Sequence, residues 1–148
     1  MVIKPTAGFS VARLDGDLPR SELLWDGQPT AVRVDGVTLE QQVQLDGGYL
    51  LFLTEDSPFE EGLHIYLLDR DRRIVDGLEL ARPYASGILR DVMPEGEGAV
   101  SFSFFGADRW RLDVHERPLG LFAGRVSAPA KRKSGLEGRP RLTIRRVE

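Results

Sequence analysis

Apolar residues in this chain recur at every second position far more often than at every third or fourth. In "VTLEQQVQL" (37–45), Val37, Leu39, Val43 and Leu45 share one side of an extended chain, and Thr38, Glu40, Gln42 and Gln44 share the other. A period of two marks a strand with one wet face. "RWRLDVHE" (109–116) alternates in the same way, with Trp110, Leu112 and Val114 opposed to Arg111, Asp113 and His115. "VSFSFF" (100–105) sets Val100, Phe102 and Phe104 on one side. Two further runs, "YLLFLT" (49–54) and "LHIYLL" (63–68), are almost continuously apolar, which predicts central strands covered on both faces. With "GFSVARL", "AVRV", "IVDGLEL" (74–80), "LFAGRV" (121–126) and "LTIRRV" (142–147), the pattern amounts to about ten short strands.

The punctuation agrees. Asp-Gly occurs at 15–16, 26–27, 35–36, 46–47 and 76–77, and the first four follow the rhythm of short strands joined by turns. The pair suits tight hairpins because Gly takes positive φ freely and Asp tolerates it. Helical spacing is confined to "SGILRDVM" (86–93), where Ser86 is a possible cap and Pro94 a stop, so one short helix near 86–93 is compatible with the pattern. The expected fold is all-β: antiparallel strands in a sandwich or closed barrel, forming a single domain over 1–148. "SAPAKRKSGLEGRP" (127–140), with small, basic, Gly and Pro residues, reads as a flexible basic loop before the last strand.

Charge adds an asymmetry. The net charge is −3, yet residues 131–148 carry seven basic and two acidic groups, while 35–80 carries eleven acids against three arginines. An acidic half and a basic end suggest charged partners or contact between copies of the chain. No apolar run approaches the length of a membrane span, and "MVIKPTAGFS" has no secretory layout, so a cytoplasmic protein with no membrane role is expected.

Candidate chemistry is thin. The chain has no Cys, which excludes disulfides and thiolate sites. "DRDRR" (69–73) fails as a calcium loop: positions 5, 6 and 12 from Asp69 are Arg73, Ile74 and Leu80, and its arginines would repel a cation. It reads instead as a charged hairpin tip. His64 and His115 are the only histidines; His64 lies within an apolar run and reads as a core residue, and His115 as an exposed one. No catalytic triad, nucleotide cradle or metal-ligand spacing stands out, so no catalytic residue, cofactor or metal is assigned. Nucleic acid is disfavoured because no aromatic residue accompanies the basic tail.

What remains points to a non-catalytic protein-binding module acting through charge complementarity, such as an inhibitor, an immunity-like protein or an accessory subunit. The expected partner is another protein, a basic one for the acidic half, and homo-oligomers are compatible with the charge division. Asp56, Phe59, Glu60 and Glu61 form an acidic contact loop around an apolar anchor, and Arg132, Lys133, Arg139 and Arg141 form its basic counterpart. Two alternatives stand beside this reading. One is a small-ligand-binding barrel or sandwich with Phe52, Tyr66, Phe102, Phe104 and Trp110 around a cavity. The other is a carboxylate-based enzyme.

Overall fold

The computed structural model describes residues 3–56, 62–83, 85, 87–136 and 138–147. Within them the chain forms strands and no helix. The strands are β1 (Lys4–Pro5), β2 (Phe9–Arg13), β3 (Arg20–Trp25), β4 (Gln28–Asp35), β5 (Thr38–Leu45), β6 (Gly48–Thr54), β7 (Leu63–Asp69), β8 (Ile74–Leu80), β9 (Arg90–Pro94), β10 (Ala99–Ser103), β11 (Arg109–Val114), β12 (Ala130–Arg132) and β13 (Leu142–Val147). They assemble into three open antiparallel sheets, ordered β1-β5-β6-β7-β8-β12, β13-β11-β10-β9 and β2-β3-β4. The architecture is sandwich-like; no sheet closes into a barrel.

The six-stranded sheet is the middle layer, and this explains the two unbroken apolar runs. Along β6 and β7, Leu50, Phe52, Leu63, Ile65 and Leu67 pack with Val100, Phe102, Phe104, Trp110 and Leu112 of the four-stranded sheet. The alternate residues Leu51, Leu53, Tyr66 and Leu68 pack with Phe9, Leu23 and Val34 of the three-stranded sheet. Both faces of the same strands are therefore apolar, and each buried Leu or Phe contributes about 1.5–3 kcal/mol. Phe52, Tyr66, Phe102, Phe104 and Trp110 are all buried in these two cores, with Phe52 and Phe102 edge to face at 5.5 Å. They fill the interior as core residues.

Alternation fails instructively in β5. Leu39 pairs with Leu53 but Gln41 pairs with Phe52, so a bulge intervenes. One extra residue turns the rest of a strand over. Leu39 consequently packs in the core beneath the three-stranded sheet, whereas Val43 and Leu45 lie in the other core. Three of the four residues expected on one face are thus divided between two cores.

The Asp26–Gly27 turn joins β3 to β4 with both residues at positive φ, 48° and 77°, which is the conformation that favours this pair in hairpins. Asp76–Gly77 lies inside β8 instead. Residues 69–73 are the β7–β8 hairpin tip: the Asp69 carboxylate accepts from the backbone N–H groups of Asp71 (2.9 Å) and Arg73 (3.0 Å). Its charges build a turn.

Two segments differ from expectation. Among the described residues of 86–93 no helix forms; Arg90–Pro94 is a strand paired with β10. Leu89 and Val92 reach the core from this extended segment while Ile88 and Met93 stay exposed, and a helix of so few residues is marginal on its own. The 127–140 segment holds β12, which pairs with β8 through Ala130↔Leu80, Lys131↔Glu79 and Arg132↔Leu78. That pairing covers an edge that β8 would otherwise expose.

Candidate functional site

The residues expected to contact a partner separate into two groups. Asp56 and Arg139 are exposed, and Phe59, Glu60 and Glu61 lie outside the described residues. Arg132, Lys133 and Arg141 are drawn into the molecule by hydrogen bonds. Arg132 and Lys133 diverge because neighbouring side chains on an extended segment point to opposite faces.

Arg132 turns toward the core beneath the four-stranded sheet and forms an ion pair with Asp76, whose side chain is only 4% exposed. It also donates to the carbonyls of Gly124 (2.6 Å) and Leu142 (2.7 Å). The Asp76 carboxylate accepts further from the backbone N–H groups of Arg141 and Leu142, both at 2.8 Å, and from that of Gly77 at 2.8 Å. Arg141 in turn donates through Nε to the carbonyl of His115 at 2.8 Å. Asp76 and Arg132 thus tie β8, β12 and the start of β13 together, with their buried polar atoms satisfied.

Lys133 turns to the other face. Its backbone N–H donates to the carbonyl of Gly77 at 2.9 Å, and its side chain crosses β8 at that glycine. A Cβ on Gly77 would lie 3.0 Å from Lys133 Cδ and 3.2 Å from Tyr66 Cδ1, so the missing side chain makes room for the lysine. The ammonium passes 5.3 Å from the centre of the Tyr66 ring and donates to Asp35 Oδ2 at 2.7 Å and His64 Nδ1 at 2.8 Å. The Tyr66 hydroxyl accepts from the backbone N–H of Asp35 at 2.9 Å, and burial pushes its phenol above the ordinary value. Burial also acts to raise the pKa of Asp35, but the bond and charge of Lys133 outweigh it, aided by the charge of Arg20. The carboxyl is held below its ordinary value of 3.8.

An ammonium has no lone pair to accept with, so Nδ1 of His64 is the acceptor and the neutral ring carries its proton on Nε2. Nε2 is 3.3 Å from Glu55 Oε1, yet the approach is too oblique for a hydrogen bond, and this atom is buried without a hydrogen-bond partner among the described residues. Glu79, directly opposite His64 in the β7–β8 register, completes a set in which one ring nitrogen of His64 and one oxygen from each of Glu55 and Glu79 lie within 4.8 Å of one another. Sequence reading set His64 aside as a core residue. It is buried as expected, but a polar atom left unsatisfied there was not foreseen.

Among the described residues, the segment between β11 and β12 carries the two most exposed of the large apolar side chains. Leu121 is 85% and Phe122 79% exposed. They sit on a turn closed by N–H donation from Gly124 to the carbonyl of Gly120 (2.9 Å) and from Arg125 to that of Phe122 (3.2 Å). "LFAGRV" was expected to be a strand; it is this turn. Beside it lies an open groove of about 560 Å³, lined by Leu119, Val126, Ala130 and Pro140 with the exposed cations Arg125 and Lys131. The apolar residues of 121–126 were visible in sequence, but nothing local showed that two of them stay outside.

The chain matches no known protein family, and no curated protein or solved structure is significantly similar to it.

Proposed function

We propose that the protein is a non-catalytic protein-binding module, acting as an inhibitor or accessory subunit, and that its contact surface centres on Leu121 and Phe122. The observation that carries this reading is the exposure of two adjacent large apolar side chains on a hydrogen-bonded turn. Holding a Phe in water forgoes roughly 1.5–3 kcal/mol of burial, and desolvated aromatic anchors are what dominate interface energies. The flanking Arg125 and Lys131 favour a partner that offers an acidic rim around an apolar pocket. This changes the chemistry of the expected partner from basic to acidic, because the anchor lies beside cations. A different protein fits better than a second copy, since a basic patch on one copy meeting an acidic patch on another is a head-to-tail contact that propagates unless its rotation closes.

The test is capture from source lysate by the parent chain and by Phe122→Asp, at low and high salt, followed by reconstitution with the purified partner. One stoichiometric acidic partner, weakened by salt and lost with Phe122→Asp, supports the reading. A partner retained equally by Phe122→Asp, or concentration-dependent self-association in sedimentation as the sole interaction, contradicts it.

A further inference from the structure

The buried centre around His64 has a chemistry that the contact surface does not use. Three adjacent strands of the middle sheet bring it together. Glu55 follows the end of β6, His64 lies in β7 opposite Leu53, and Glu79 lies in β8 opposite His64. Their donor atoms, one nitrogen and two carboxylate oxygens, lie within 4.8 Å of one another, close enough for small side-chain adjustments to bring all three onto one ion. We propose that Glu55, His64 and Glu79 bind a divalent first-row transition-metal ion, with Zn²⁺ as the probe, through the two carboxylates and His64 Nε2.

The cluster of acids alone would not support this. The independent observation is the imidazole itself: its side chain is 3% exposed and its Nε2 is buried without a hydrogen-bond partner among the described residues. Leaving such a group unmatched costs about 1–3 kcal/mol, and native structures rarely leave one without a reason. The atom lies 3.3 Å from Glu55 Oε1. Gly62 keeps the approach open, since a Cβ there would lie 3.1 Å from Glu55 Oε2 and 3.5 Å from Nε2.

The local charge supports a cation. Asp35, Glu55 and Glu79 supply three negative charges, and Lys133 and Arg20, which bond to Asp35, supply two positive ones. Lys131 lies opposite Glu79 in the β12–β8 register but is exposed, so water screens its charge, and the negative charge beside Nε2 is the Glu55 carboxylate, 3.3 Å away. Lys133 opposes a second cation, but it contacts the far nitrogen of the ring and fixes the orientation of the imidazole from that side. When the ion takes the place of the Nε2 proton, that proton passes to solvent and Lys133 hands a proton to Nδ1, so that His64 ligates as a neutral imidazole whose Nδ1–H donates to the lysine amine. The imidazole favours Zn²⁺ and its neighbours over Ca²⁺ and Mg²⁺, which prefer all-oxygen sites. With three protein ligands, a coordination position stays open for water.

The experiment is calorimetric titration of the full chain, freed of metal by a chelator, with ZnCl₂ at neutral pH, repeated with Glu55→Gln, Glu79→Gln and His115→Gln. The expected result is one ion per chain. Each glutamate variant should weaken the affinity tenfold or more, which is about what losing even an outer partner of a metal site costs. His115→Gln should bind as the parent does, and CaCl₂ at tenfold excess should not compete. Urea midpoints measured in chelator show that the glutamate variants remain folded; both residues are only partly buried, so neither change empties the core. No stoichiometric binding, undiminished binding in both glutamate variants, loss in His115→Gln, or equal competition by Ca²⁺ would each overturn the assignment. The site is separate from Leu121 and Phe122, and its failure would leave the protein-binding proposal untouched.

Discussion

Asp76–Arg132 and Asp35–Lys133–His64 are two polar centres built on opposite faces of one sheet, supplied by neighbouring residues of one segment. In the first, the Asp76 carboxylate and the Arg132 guanidinium are met by each other, by backbone N–H groups and by carbonyls. In the second, Lys133 satisfies Asp35 and one ring nitrogen, and the other nitrogen is left over. A complete centre explains itself as architecture, because every buried polar atom has its partner. An incomplete one asks what completes it. The comparison separates residues that hold the fold from residues available for chemistry, although all of them are polar or charged and buried or half-buried.

The largest effect should come from breaking the complete centre. Asp76→Ala leaves the Arg132 guanidinium and the N–H groups of β13 without their acceptor, and removing one partner of a buried pair costs about 3–5 kcal/mol. Urea unfolding should show a loss of that order; a loss below 1 kcal/mol would mean that the two centres differ less than their bonding implies.

Lys133→Met should cost less, about 1–3 kcal/mol, the range for a buried polar group left unmatched. The Asp35 side chain is 38% exposed and regains water, so the His64 nitrogen bears most of the loss. Unfolding midpoints of the two variants, measured side by side, rank the centres directly.

The pH dependence distinguishes them further. Asp35 has a lowered pKa, so its ionised form stabilises the fold above the ordinary value of 3.8, and that contribution is lost as pH falls through the lower folded value. Stability should therefore fall on acidification below about pH 4, and Lys133→Met should flatten this part of the slope. A slope unchanged by Lys133→Met would show that the lysine does not hold the carboxyl down.

The smallest effect belongs to the exposed turn. Phe122→Asp should leave the unfolding free energy within about 0.5 kcal/mol, since it removes no buried contact. A larger loss would show that the turn supports the fold and is not free for a partner.

Much of this fold was legible from period two and from Asp-Gly spacing, because strand alternation and turn chemistry are local properties. The doubly apolar runs of β6 and β7 correctly implied a layer on each side. What escaped was long-range or depended on a single inserted residue. The bulge between Leu39 and Gln41 reversed the faces of β5, and no residue in "VTLEQQVQL" marks it. Lys133 and Asp35 lie 98 residues apart, so their pairing has no local signature. A partial signal did exist, since the glycine within "IVDGLEL" marks a strand position where another chain segment comes close. The basic run "KRK" read as part of a flexible loop with partner contacts because its alternation along an edge strand was not recognised; Arg132 and Lys133 are bonded inside the molecule.

The most direct test of the central claim, that the His64 centre is incomplete and the Asp76 centre is not, is a ¹⁵N imidazole spectrum of the full chain at neutral pH before and after one equivalent of Zn²⁺. With only His64 and His115 present, assignment takes one variant. Before metal, His64 should show an accepting Nδ1 and a protonated Nε2. After it, the Nε2 proton should be gone and His115 unmoved. A His64 spectrum indifferent to the ion, or a response confined to His115, would contradict the account.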